Sequence, residues 1–166
     1  MKTIFYFMLL ASTFSFMPKP ASKPADGLYL VKKSMNSSPD FKAGVNEAVI
    51  FYYPGFNEDS AGDKKCLLIN TTGFVKLDLE SDPAIGTDKR GNKVIYLQFS
   101  REASEDLERF TTTNLFKDAV VVVDGRALTV KKIRAVIHSG KMEISGCNDS
   151  DCDMVYHALR ENVRVK

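Results

Sequence analysis

With 166 residues, 44% hydrophobic and 27% charged, the chain has enough apolar material for one globular domain with a sizeable core, which excludes disorder along its whole length. Its 23 basic and 21 acidic residues leave a formal charge of +2, so it lacks the strongly basic field of a nucleic-acid binder. Three cysteines mean that any single intrachain bond leaves one thiol over.

The amino terminus reads as a signal peptide over residues 1–16. Lys2 precedes an apolar run from Ile4 to Met17, shorter than the roughly 20 residues a spanning helix needs. Pro18 and Pro20 stop the run, and the small residues Thr13 and Ser15 place cleavage near Ser15. No cysteine precedes Cys66, which rules out a lipid-modified cysteine at the cleavage site. The mature protein is therefore expected in the periplasm or outside the cell, with no membrane span after cleavage. Residues 17–27, rich in proline and lysine, read as an extended tether. Residues 28–166 form a single expected domain.

Along that domain, "GLYLVKK" reads as a strand and "NSSPDFKAGVN" as a loop. "EAVIFYYPGF" is a second strand ended by Pro54-Gly55, and "NEDSAGDKK" a polar turn. "CLLIN" and "FVKLDLE" look like strands meeting in a turn at Thr72-Gly73. "SDPAIGTDKRGNK" reads as a long polar loop. "VIYLQFS" is a strand, and the segment after it is the best helix in the chain. Ser100 caps that helix, Glu102 sits in its first turn, and Ala103, Leu107 and Phe110 share a face. "AVVVVD" is a near-continuous β-branched run, as for a strand covered on both faces. Residues 94–123 thus read as β-α-β, with its two strands in one sheet, paired in parallel or separated by a third.

Asp124-Gly125 is a strong two-residue hairpin signal, because the turn that fits strand twist needs positive φ at both central positions. A second turn at Ser139-Gly140 folds Ile133–Ile137 back on "KMEIS". A closing helix, "SDCDMVYHALREN", carries a capping box of Ser150 and Asp153, with Val155, Ala158 and Leu159 on its core face.

No catalytic motif survives inspection: there is no G-x-S-x-G, H-E-x-x-H or P-loop, and neither His138 nor His157 sits in a recognisable site. His138 beside Ser139-Gly140 reads as a turn residue. In "CNDSDCDMVYH", Cys147, Cys152 and His157 stand five apart among Asp149, Asp151 and Asp153. A calcium loop fails there, since Met154 stands where glycine is needed and Arg160 where glutamate is needed. A zinc site lacks an obvious fourth ligand. The simpler reading has the aspartates at a helix start and a short loop between the cysteines. A Cys147–Cys152 disulfide is geometrically accessible, since a loop leading into a helix can hold Cα atoms within the roughly 4.4–6.8 Å that bridging needs. Cys66, in an apolar strand, reads as a buried free thiol. Tyr52, Tyr53 and Phe56 around Pro54-Gly55 form either an aromatic rim for peptide contact or, by the better prior, core packing. The Asn36, Asn70 and Asn148 triplets match the N-glycosylation pattern, which arises easily by chance.

One resemblance stands out. A helix ending "RFTTTN" is followed by "AVVVVDGRAL", then Ile133 and Ile137, then "SGKMEISG" with an isoleucine-x-glycine step at Ile144 and Gly146, then a helix to Leu159. In this order residues 96–161 resemble the head subdomain of the large periplasmic domain of SecD and SecDF, membrane subunits that assist bacterial protein export. Phe116 stands where that family often has glycine and Lys131 where it often has proline. The chain ends at Lys166, where SecD would continue into transmembrane helices, so the resemblance implies a free-standing head-like domain that contacts emerging polypeptide. It brings no catalytic residues and no cofactor. The expected fold is α+β, a mixed, largely antiparallel sheet with two helices on one face, with structural turns at Asp124, Gly125, Gly140 and Gly146. The expected function is a non-enzymatic periplasmic or secreted binding module whose partner is polypeptide or an envelope protein. The alternative is a metal or redox protein centred on Cys147, Cys152 and His157.

Overall fold

A computed structural model describes residues 23–36, 43–53, 65–145 and 149–163. In chain order these form β1 (Gly27–Asn36), β2 (Glu47–Phe51), β3 (Lys65–Asn70), β4 (Val75–Lys76), β5 (Ala84–Thr87), β6 (Lys93–Gln98), α1 (Arg101–Thr113), β7 (Asp118–Val123), β8 (Arg126–Lys132), β9 (Lys141–Ile144) and α2 (Asp149–Asn162). The class is α+β with antiparallel ladders. The strands divide between two sheets, one ordered β2-β3-β1-β7-β8 with β4 also on β1, the other ordered β5-β6-β9.

The larger sheet curls until its ends meet. Tyr52, just beyond β2, bridges Ala127 on β8, and Tyr53 N donates to Ala127 O at 2.9 Å. Tyr29, Ile50, Leu67, Ile69, Val120, Val122 and Ala127 form the enclosed core. Closure of this kind covers edges that would otherwise present unpaired main-chain groups. A β-bulge between Val31 and Lys33 lets the long β1 change partners, from β7 along Gly27–Leu30 to β3 along Val31–Asn36.

The outer face of the barrel packs on everything else. Ala119, Val121 and Val123 of β7 join Leu28, Leu128, the α1 face Ala103, Leu107 and Phe110, the β6 and β9 residues Ile95, Leu97 and Ile144, and Val155, Ala158 and Leu159 of α2. β7 is thus buried on both faces, which is why its sequence is apolar without alternation. Each fully buried aliphatic side chain contributes roughly 1.5–3 kcal/mol. Helix α1 starts as its sequence requires, with the Ser100 side chain accepting from Ala103 N and Glu102 in the first turn.

Several local expectations are corrected. Thr72-Gly73 is not a hairpin: β3 pairs with β1 residues 31–36 and β4 with Gly27 and Leu28, so both follow one line along β1. Residues 71–74 are a jog between them, helped by Gly73 at φ 68°. The polar segment 81–93 is not all loop, because β5 lies inside it and pairs with β6. The strands flanking α1 do not share a sheet, since β6 belongs to the three-stranded sheet and β7 to the barrel. Residues 133–138 form no strand, and β9 pairs with β6 instead of folding back on them. Ser150 lies within α2, which already begins at Asp149, so it is not the cap. Asp153 instead accepts from Lys93 Nζ through both carboxylate oxygens, at 2.9 and 2.8 Å.

The last residues of the expected tether are fastened to the barrel. Asp26 Oδ1 accepts from Asp124 N at 2.8 Å, Lys23 pairs with Asp124, and Leu77 N donates to Asp26 O at 3.1 Å. The expected signal segment, residues 1–16, lies outside the described residues.

Candidate interaction surface

Among the described residues the three-stranded sheet ends in two strands paired on one side only, β5 and β9, and β5 is the one flanked by exposed apolar side chains on both faces. The sheet order is β5-β6-β9, so among the described residues β5 pairs only with β6. Antiparallel pairing turns alternate main-chain N–H and C=O groups of β5 away from β6. Ala84 stands opposite Tyr96 and Ile85 opposite Ile95, which sends Ile85 and Tyr96 to opposite faces. Both are exposed, at 41% and 37%. The Tyr96 ring lies across Gly86, where a Cβ would stand 2.9 Å from the ring; the missing side chain is what lets the aromatic cover the strand.

The hairpin behind this edge is held by Asp88. Its carboxylate accepts from Arg90 N at 2.8 Å, Asn92 N at 2.9 Å and the Asn92 amide at 3.0 Å, and Gly91 takes φ 83°. The Asn92 bonds, side chain first, hold the Asp88 carboxyl below the usual range.

A second feature is a strap, residues 133–140, laid along α1. Ile133 exchanges main-chain bonds with Phe116 and Lys117, at 2.8 and 2.9 Å. Ile137 N donates to Thr111 Oγ1 at 3.1 Å. His138 Nδ1 lies 2.9 Å from Glu108 Oε1, so this residue is tied to a helix rather than placed in a hairpin turn. At its end Gly140 abuts Ser104. The partners 104, 108 and 111 are three and four residues apart, hence on one helix face. Where the strap begins, Phe116 takes φ 65° and is 72% exposed as a residue.

The other singled-out residues fall as follows. Asp124 and Gly125 have φ 53° and 70°, the signs the hairpin turn requires. Gly140 has φ 66° but serves a close approach rather than a hairpin. Gly146, Cys147, Asn148 and Phe56 lie outside the described residues. Tyr52 and Tyr53 are half-buried against the core. The Asn70 side chain accepts from Thr72 N and Oγ1 at 3.0 and 2.8 Å. Cys66 is a buried free thiol, its pKa pushed up by burial. Cys152 is buried and disulfide-bonded; its expected partner falls in the segment just excluded, so the pairing stays a proposal.

Cys152 and His157 are not brought together. Five residues on a helix differ by about 140° in direction, and Cys152 enters the core while His157 is exposed beside the Tyr156 ring. Among the described residues no three acidic, histidine or cysteine side chains converge on a point that could hold a metal ion. A concavity of about 360 Å³ beside the start of α1 is lined by Ser100, Arg101, Glu102 and Glu105, with no histidine or thiol to act on a substrate. Sequence reasoning missed the β5 edge, whose one available signal was the apolar pair Ala84-Ile85 ahead of Gly86.

No family model matches the chain. The protein translocase subunit SecD of Acidaminococcus fermentans is 26% identical over 69 residues, 42% of this chain and 16% of SecD. A structure of SecDF, a membrane component that enhances protein export, is 29% identical with a TM-score of 0.44, covering 52% of this chain and 39% of that one. SecDF in its super-membrane-facing form is 22% identical with a TM-score of 0.49, covering 82% and 18%. At such TM-scores the overlays carry no argument, and the relationship rests on the sequence. No helix among the described residues is long and apolar enough to cross a membrane. The chain thus spans about a sixth of the length of its curated relative, and over that part it is similar to SecD, as its motifs imply.

Proposed function

We propose that this chain is a non-enzymatic, periplasmic module of protein export that receives extended polypeptide as an added strand along β5. The observation that carries this reading is the β5 edge, open among the described residues, with Ile85 exposed on one face and Tyr96, lying over Gly86, on the other. An added strand alternates its side chains between the two faces and meets an apolar contact on each. Main-chain bonds supply the affinity without reading sequence, which suits export substrates of many sequences. The partial similarity to a translocase subunit supports the same setting.

The test is titration of the protein with a reduced, carboxymethylated polypeptide that cannot fold, followed by fluorescence anisotropy. Ile85→Lys and Tyr96→Glu, which charge an edge against strand addition, are expected to weaken binding by about five-fold or more. Equal binding by both variants, or no binding by the parent chain, would overturn the proposal.

A further inference from the structure

The end of α1 presents an aromatic side chain that the core does not use. Phe116 is held at φ 65°, a conformation glycine adopts freely and phenylalanine rarely, and the residue is 72% exposed. Its backbone is fixed from both sides: Phe116 N donates to Ile133 O at 2.8 Å, and Lys132 Nζ donates to Phe116 O at 3.2 Å. The tip is therefore a defined protrusion.

Its neighbours are cationic. Lys117 follows it in the chain; Lys131 and Lys132 lie across the ladder that pairs Asp118 with Lys132 and Ala119 with Lys131, and Arg134 follows Ile133, which is bonded to Phe116 and Lys117. All four cationic residues are exposed. Asp118 is the acidic group among them, and it is engaged by Lys132 at 2.8 Å. Lys117 is bonded to Asn114 at 3.1 Å, while Lys131 and Arg134 have no partner among the described residues.

We propose that this tip is a docking point on an anionic lipid surface, with the Phe116 ring entering the headgroup boundary and Lys117, Lys131 and Arg134 facing the phosphates, while Lys132 neutralises Asp118. The charge excess complements an anionic leaflet, is repelled by a cationic one and gains nothing from a neutral one. A single protruding aromatic also needs a partner that can yield around it, and a lipid interface accepts a ring without a preformed pocket. The proposal is independent of the β5 edge, so its failure leaves the strand-addition reading untouched.

The chain contains no tryptophan, so Phe116→Trp places the one tryptophan of the chain at the tip, and excitation at its red edge reads it apart from the six tyrosines. With phosphatidylcholine vesicles containing about 30% phosphatidylglycerol, the emission is expected to shift to the blue. Brominated acyl chains are expected to quench it, and salt to reverse both effects. Phosphatidylcholine alone is expected to give neither. Phe116→Gly, which suits the backbone, is expected to remain folded yet lose at least about five-fold in vesicle affinity, and Lys131→Glu with Arg134→Glu to lose as much. The proposal is overturned if the F116W emission ignores anionic vesicles, if F116G binds them as the parent does, or if the emission responds to an acidic polypeptide and not to lipid.

Discussion

Gly140 lies against Ser104 so closely that a Cβ at residue 140 would stand 1.9 Å from Ser104 Oγ and 2.8 Å from its Cβ. The contact locks the strap to the first turn of α1, where Phe99 N donates to Gly140 O at 2.9 Å and Ser104 Oγ to Phe99 O at 3.2 Å. Gly140→Ala meets this contact and the left-handed φ of 66° together. It is expected to destabilise by about 2–4 kcal/mol in urea unfolding, with an unchanged slope. Adding Ser104→Gly should recover part of the loss, because the two changes share one contact. A loss under about 0.5 kcal/mol for Gly140→Ala, the range of an ordinary surface change, would contradict the close packing.

Phe116 shows the opposite economy. A left-handed residue with a Cβ costs about 1–2 kcal/mol, and glycine there gives back roughly 0.5–1 kcal/mol of that through its freer unfolded chain. Phe116→Gly should therefore match or exceed the parent in stability by up to about 1 kcal/mol, since the exposed ring contributes little packing. Thermal and urea unfolding measure this. A clear loss would show that the ring supports the fold.

Tyr29 makes stability depend on alkaline pH. Burial, with a smaller contribution from Asp26, pushes its hydroxyl from 10.0 up to about 12, and that hydroxyl donates to Ala25 O at 2.7 Å. Above pH 10 the unfolded chain loses this proton while the folded chain keeps it, so the associated stability is fully present below pH 10 and is lost as pH rises through about 12. Urea midpoints measured across this window should fall more steeply for the parent than for Tyr29→Phe. Parallel curves would place the Tyr29 ionisation elsewhere.

The cysteines make a prediction about mass. With Cys66 free and buried and Cys152 oxidised, we propose the Cys147–Cys152 bond expected from the short loop. Native protein should resist alkylation, denatured unreduced protein should take one adduct at Cys66, and denatured reduced protein should take three. Peptide mapping that joins Cys66 to either of the others would refute the pairing.

Much of this architecture was legible from local chemistry. Asp124-Gly125, Ser100 and the Ala103-Leu107-Phe110 face were readable because each states its own backbone geometry. The doubly buried β7 was readable because covering both faces removes alternation. What escaped depends on distant partners. β5 is a four-residue edge strand with exposed side chains and a central glycine, so it carries none of the burial that marks a strand. The jog at 71–74 imitates a turn because Gly73 has the required φ, yet β1 keeps the chain running onward. The strap holds Ile133 in the core and ties Ile137 to Thr111, contacts with α1 and the turn after it that imitate strand residues without a ladder. Asp153 fits a capping box by spacing, but Lys93, sixty residues away, holds its carboxylate.

The central claim is that β5 is where polypeptide adds. Its most direct test is amide hydrogen exchange across Ala84–Thr87 with and without a saturating unfolded polypeptide. Strand addition predicts that outward-facing amides of β5 slow on binding while those of β9 do not, and that Ile85→Lys abolishes the protection. Unchanged exchange along β5 in a complex shown to have formed would place the binding surface elsewhere and contradict the account.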